Sequence, residues 1–67
     1  AGKPVKLSRQ QARVLSLLAR GLRTPEIAEQ TGLTVPTVKS HTAAAYQKLG
    51  VHNAMDAVLK ARELGLL

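Results

Sequence analysis

A short stretch of this chain, residues 36–43, holds the side chains best suited to specific chemistry. At helical spacing, Pro36, Lys39, Ser40 and Ala43 share one side of a helix that carries no large apolar residue. Lys39 can donate to O6 and N7 of guanine, and Ser40 can donate or accept a hydrogen bond. Pro36 and Ala43 offer only apolar contact, for example to a thymine methyl group. The pattern indicates a surface that reads base edges in a DNA groove rather than a catalytic pocket.

Two threonines, Thr24 and Thr37, stand where helices are expected to begin. The first turn of a helix exposes N–H groups at the positive end of its dipole, so hydroxyls there favour contact with phosphate. Both this assignment and that of Lys39 have a simpler alternative. Thr24 is explained equally by helix capping, and Lys39 by ordinary exposure to solvent.

The overall charge favours a polyanionic partner. The chain has 67 residues, with ten Lys and Arg against four Asp and Glu, and a formal net charge of +6. This length predicts one domain with one small core. The absence of cysteine excludes disulfides and thiolate metal sites, and no apolar run reaches the ~20 residues of a membrane span. These features predict a cytoplasmic protein that does not insert into membranes.

Four helices are expected to position these residues. Ser8 and Gln11 form a capping-box pattern, Thr24 is expected to cap the second helix, and Asn53 to cap the fourth. Gly32 predicts a tight turn with positive φ. Strand signals with a period of two are absent. The predicted fold is all-α, a compact four-helix domain with helices at approximately 8–20, 25–31, 35–49 and 54–64.

The second and third predicted helices are joined by a short turn that contains Gly32. Such a pair is a helix-turn-helix, in which the second helix projects and can enter a DNA major groove. A bare pair of helices around a glycine also occurs in many helical bundles. Six further sequence motifs make the helix-turn-helix assignment more specific. They are LS at 7–8, VLSLLARGL at 14–22, EIAEQTGLT at 26–34, TVKSH at 37–41, YQKLGV at 46–51 and DAVLKARELGLL at 56–67.

With these motifs the chain resembles the LuxR-type (GerE-type) DNA-binding domain of bacterial transcription regulators. The resemblance covers residues 7–67, so residues 1–6 are interpreted as linker. It implies a C-terminal output domain whose third helix reads double-stranded DNA with two-fold related half-sites, and whose fourth helix forms a homodimer. It also implies an N-terminal sensor or receiver domain, RNA polymerase as a further candidate partner, and no cofactor.

The resemblance also assigns DNA contacts by position. Because Ala43 and Ala44 replace longer side chains common in the family, direct readout is expected to rest on Lys39. Gln11 and Ala54 replace a Glu and an Arg, so both members of a presumed ion pair are absent together. The base-facing positions are Pro36, Lys39, Ser40 and Ala43, and the phosphate-facing positions are Thr24, Thr37, Tyr46 and Lys48.

The fourth helix carries a second candidate surface. Met55, Leu59 and Arg62 lie about 100–120° from its core-facing side, where apolar residues have no use in a monomer. We interpret them as the dimer contact, which agrees with the mode that the resemblance implies. The alternative is that they are isolated surface apolar residues, which are common. The expected core-facing residues are Ala54, Ala57, Val58, Ala61 and Leu64.

Two other classes of function were weighed against DNA binding. An enzyme is disfavoured because the chain has no Cys and no Gly-rich phosphate loop, and because neither His41 nor His52 has partners at metal-ligand spacing. The interpretation as a protein-interaction module that has lost DNA binding remains open, because the base-facing side of the third helix has few side chains that can read bases. Salt dependence separates the two, since DNA binding must weaken steeply as salt rises.

Overall fold

A computed structural model describes residues 5–67 and confirms the all-α, four-helix fold. No strand occurs within this range. Each predicted helix boundary lies within one residue of the observed one. The helices are α1 (Arg9–Ala19), α2 (Thr24–Thr31), α3 (Val35–Leu49) and α4 (Ala54–Glu63).

The predicted caps of α1 and α4 are present. Ser8 Oγ accepts from the Gln11 backbone N–H at 3.1 Å, and Gln11 Oε1 accepts from the Ser8 N–H at 3.0 Å. Asn53 Oδ1 accepts from the Asp56 N–H at 2.9 Å. These bonds satisfy N–H groups that a helix start otherwise leaves without partners.

The predicted cap of α2 was wrong. Thr24 is the first helical residue and Arg23 is the N-cap. The Arg23 N–H donates to Glu26 Oε1 at 2.9 Å. Because Glu26 supplies the capping acceptor from inside the first turn, α2 begins one residue earlier and needs no hydroxyl cap.

The end of α4 corrects one core assignment. Gly65 has φ +73°, the Gly65 N–H donates to Arg62 O at 3.1 Å, and the Leu66 N–H donates to Ala61 O at 2.8 Å. This Schellman arrangement reverses the chain after the helix. As a result Leu66 packs against the core. Leu64, which was expected in the core, is instead 45% exposed.

The core consists of two clusters that share α1. One cluster lies between α1, α2 and the first half of α3, and the other lies between α1, the end of α3 and α4. Within residues 5–67, α2 and α4 make no direct contact, so α1 and α3 hold them in place. The first cluster contains Val14, Leu17, Ile27, Ala28 and Val38, and the second contains Leu15, Leu49, Ala57 and Ala61.

The predicted linker lies partly against this second cluster. Val5 and Leu7 are half-buried there. Residues 1–4 of the predicted linker lie outside the described residues. Val5 is therefore the first described residue to contact the packed domain.

Candidate nucleic-acid interface

The turn between α2 and α3 sets the position of the exposed helix. Gly32 adopts φ +73°, which confirms the predicted left-handed turn residue. Thr31 Oγ1 donates to Ile27 O at 2.7 Å and accepts from the Leu33 N–H at 3.3 Å. Leu33 packs against the first core cluster. The turn is thus fixed on both sides, and the direction of α3 relative to α2 is defined.

The first turn of α3 is capped by a pair of hydroxyls. Thr34 Oγ1 accepts from the Thr37 N–H at 3.4 Å, and the two side-chain oxygens lie 2.9 Å apart. One hydroxyl of the pair donates to the other, so one proton of the pair remains free to donate outward. Thr37 was predicted to face phosphate, and the structure places it half-buried in the first turn of α3.

The outer side of α3 is open. Val38, Ala45 and Leu49 are buried on the inner side. Lys39 makes no hydrogen bond or ion pair with any residue in the described range 5–67. Its ammonium group therefore keeps its full donor capacity for a partner. The four side chains predicted to face bases are all exposed: Pro36, Lys39, Ser40 and Ala43.

A concavity of about 170 Å³ lies between the start of α2 and the middle of α3. It is lined by Thr24, Lys39, Thr42, Ala43 and Tyr46. Two predicted phosphate-facing residues, Thr24 and Tyr46, thus lie beside two predicted base-facing ones. Burial raises the pKa of the Tyr46 hydroxyl above its usual value. Because the usual pKa of tyrosine, about 10, already lies above physiological pH, this hydroxyl stays protonated and can donate a hydrogen bond.

Lys48 makes contacts that the sequence did not suggest. Its Nζ donates to Gln11 Oε1 at 2.8 Å and to Lys6 O at 3.0 Å. These bonds connect the end of α3 to the start of α1. An ammonium has three N–H donors, so one is left for the predicted phosphate contact.

Sequence reasoning missed the capping role of Glu26 and the bond between Gln11 and Lys48. Glu26 caps α2 beside Thr24, and the residue type three positions inside a helix start is the signal that would have identified it. Gln11 was interpreted through a lost ion pair. In the structure its Oε1 accepts from the Ser8 N–H, as the capping-box pattern predicted, and also from Lys48 Nζ.

The candidate dimer surface on α4 is exposed, as predicted. Met55 is 74% and Leu59 is 58% exposed. Together with Arg62 they border a groove of about 330 Å³ between α4 and the end of α1. The α1 side of the groove, which the sequence did not indicate, is formed by Leu18, Ala19 and Gly21.

The model of the family described as "GerE: Bacterial regulatory proteins, luxR family" matches residues 5–61. The chain belongs to this luxR family. It is a LuxR-type helix-turn-helix DNA-binding domain of bacterial transcription regulators. The predicted family and fold are therefore confirmed, and the family is one of DNA-binding regulators rather than a class of enzymes.

Individual relatives of this luxR-family domain agree. It is 40% identical over 62 residues to the HTH-type transcriptional activator RamA of Corynebacterium glutamicum, with 92% of the chain and 22% of that protein covered. It is 38% identical to the Fimbriae Z protein of Salmonella typhimurium, with 91% of the chain and 29% of that protein covered. The chain thus spans about a quarter of the length of these curated relatives.

Two solved structures share the fold. The structure titled "Structure of Transcription factor, GerE" is 33% identical in sequence and has a TM-score of 0.85. The match covers 91% of each of the two chains. The response regulator ChrA of a heme-sensing two-component system is 32% identical with a TM-score of 0.91, over 98% of this chain and 33% of that one. None of the helices within residues 5–67 combines the length and hydrophobicity needed to cross a membrane.

Proposed function

We propose that this luxR-family domain binds double-stranded DNA sequence-specifically by placing α3 in the major groove. The observation that carries the proposal is the outer side of α3. Its four predicted base-facing residues are all exposed, and the Lys39 ammonium has no partner among the described residues. Lys39 is a long donor on a projecting helix, and the chain has a net charge of +6. Such a donor fits the O6 and N7 acceptors of guanine in the major groove. Lys39 and Ser40 then supply polar readout, and Pro36 and Ala43 supply apolar contact.

Phosphate contacts orient this helix in the groove. Thr24 and Thr37 lie in the first turns of α2 and α3, where the helix dipoles favour anions. Tyr46 lines the concavity beside Lys39, and Lys48, at the end of α3, keeps one N–H for a phosphate beside its bonds to Gln11 and Lys6. Contacts of this kind fix the register of a protein on DNA without reading its sequence. Specificity is therefore assigned to the base-facing residues alone.

The domain pairs on DNA through α4. Met55, Leu59 and Arg62 are exposed on the α4 side of the groove that α4 forms with α1. A two-fold contact there pairs each groove with the α4 of the other copy. The patch is small compared with stable interfaces, which bury about 1,200–2,000 Å². Pairing is therefore expected on two-half-site DNA, with half-sites about 10 base pairs apart.

The larger protein that contains this domain is proposed to be a transcription regulator. The matched region makes up 22% of one curated relative and 29% of the other, and ChrA is a response regulator. An N-terminal sensor or receiver domain would supply the signal, and RNA polymerase would be a further partner. The domain itself needs no cofactor for this role.

The test is a binding series with the 67-residue chain. A preferred duplex is first selected from a random pool, and its affinity and that of scrambled DNA are then measured by fluorescence anisotropy across a range of salt concentrations. We expect log affinity to fall linearly with log salt, with the selected duplex bound more tightly throughout. Affinity that is independent of salt, or a pool from which no sequence is enriched, would refute the proposal.

A further inference from the structure

The small side chain of Ala43 leaves hollows on the exposed surface of α3. Ala43 lines both the 170 Å³ concavity beside Lys39 and a wider, open hollow of about 500 Å³ toward the end of the helix. Tyr46 lines both and stands between them. A longer side chain at position 43 would fill the space next to Lys39. Ala43 therefore reduces the number of polar groups that can read bases, and at the same time it leaves an apolar concavity beside Lys39.

The concavity beside Lys39 is lined mainly by carbon atoms, and Thr24 and Lys39 also contribute to its lining. Thr42 Oγ1 donates to Val38 O at 2.9 Å, so its hydroxyl is occupied within the helix and its methyl group remains. The Ala43 methyl group lies beside it, and the partly buried Tyr46 adds an aromatic wall. Thr42 and Ala43 offer no free donor to a phosphate, so the proposed phosphate contacts are left to the hydroxyls of Thr24 and Tyr46. The methyl-lined part of the concavity suits a small apolar group that arrives next to a hydrogen-bond acceptor.

In a DNA major groove one group fits this description. Among the four bases only thymine presents a methyl group there, and guanine presents the two acceptors that suit a lysine. Residues four apart on a helix have Cβ atoms about 5–6 Å apart, and successive base pairs rise by about 3.4 Å. Lys39 and Ala43 are therefore spaced to contact positions one or two base pairs apart.

We propose that the concavity lined by Lys39, Ala43 and Tyr46 binds the 5-methyl group of a thymine within two base pairs of the guanine that Lys39 contacts. This inference rests on the proposed function. It gives the apolar contact assigned to Ala43 a defined partner on the DNA. The readout is then a combination of one guanine and one neighbouring methyl group.

The test replaces thymines in the selected duplex one at a time with deoxyuridine, which removes only the methyl group. The guanine contacted by Lys39 is located as the base pair at which Lys39→Ala loses its preference. We expect one thymine within two base pairs of it to lose about fourfold in affinity, as for the burial of one methyl group. 5-Bromouracil at that position should restore the affinity, because bromine fills a similar volume.

A protein variant provides the matching half of the test. Ala43→Gln fills the concavity at an exposed helical position, and it should remove the deoxyuridine penalty while salt-dependent DNA binding persists. Gln47→Ala, on the far side of Tyr46, should keep the penalty. If the selected duplex binds but no thymine near that guanine is sensitive, the methyl site is refuted and the proposed function stands. If no sequence is selected at all, it is the proposed function that fails.

Discussion

At the scale of single residues, we expect the base-reading capacity of this domain to be concentrated in Lys39. Lys39→Ala should lower affinity for the selected duplex by about 1–3 kcal/mol and relax the preference at one base pair. A competition assay with base-substituted duplexes measures both effects. Lys60→Ala is a suitable control, because Lys60 is also exposed but lies on α4. An equal loss on selected and random DNA would show that Lys39 contacts only phosphate.

Glu26 is predicted to weaken DNA binding while it stabilises α2. Its carboxylate caps Arg23 at 2.9 Å, which places a negative charge at the helix end where phosphate is expected. Glu26→Gln keeps an oxygen acceptor for the cap and removes the charge. At low salt the variant should bind any duplex roughly twofold more tightly than the wild type does. This ratio of affinities should approach one as the salt concentration rises.

Glu29→Gln is the control for this prediction. Glu29 is exposed on the same helix but outside its first turn, so its charge lies farther from the expected phosphate. Salt titrations of the two variants, with thermal melts to verify the fold, make the comparison. An identical gain in both variants would indicate a general charge effect and contradict a local role for Glu26.

At the scale of helices, local sequence patterns were sufficient to predict where the elements lie. Ser8, Asn53 and the glycines after the helices carry their own capping signals, so the boundaries follow from a few neighbouring residues. The start of α2 was misplaced because Glu26 takes over the capping bond. Leu64 was misplaced because a period of 3.6 does not reveal that the chain reverses at Gly65 and brings Leu66 inward.

The candidate interface was predictable only in part, for the same reason. The exposure of its four base-facing residues follows from helical period alone. The bonds from Lys48 to Gln11 and Lys6 join residues 37 and 42 positions apart, and no local pattern encodes them. The concavity beside Lys39 likewise depends on how α2 packs against α3.

Two threonines that donate to a helical carbonyl are predicted to respond in opposite directions. Among residues 5–67, Thr42 Oγ1 bonds only to Val38 O, an arrangement that competes with the regular helix. Thr42→Val keeps the shape and adds apolar burial at a half-buried site. It should raise the melting temperature by roughly 2–4 °C, corresponding to about 0.5 kcal/mol.

Thr31 is the matched comparison. Its hydroxyl also donates to Ile27 O, but in addition it accepts from the Leu33 N–H in the turn. Thr31→Val leaves that N–H without its acceptor and should destabilise the domain by about 1 kcal/mol. Thermal melts of the two variants decide the matter. A fall in melting temperature for Thr42→Val would show that its hydroxyl stabilises α3.

At the scale of the whole molecule, the two surfaces lie on different parts of the core. The proposed DNA-facing elements, α2 and the first half of α3, surround the first cluster, whereas α4 packs on the second together with the end of α3. Helix α1 belongs to both clusters. Helix α4 does contact the end of α3, but its outer residues Met55 and Leu59 are exposed, and α2 and α4 do not touch within the described residues. A change on the outer face of α4 should therefore leave the proposed DNA-facing surface unaltered. The two functions can therefore be separated by mutation.

This separation leads to a prediction for Leu59, which is 58% exposed beside Met55 and Arg62. Leu59→Asp should leave the fold and binding to a single half-site unchanged. Cooperative binding to a duplex with two half-sites should be lost, because two carboxylates would meet across the two-fold axis. Leu67→Asp is the control, since Leu67 is 43% exposed but lies beyond α4. Circular dichroism and titrations of one- and two-site duplexes make the measurement, and cooperativity that survives Leu59→Asp would place the dimer contact elsewhere on the domain.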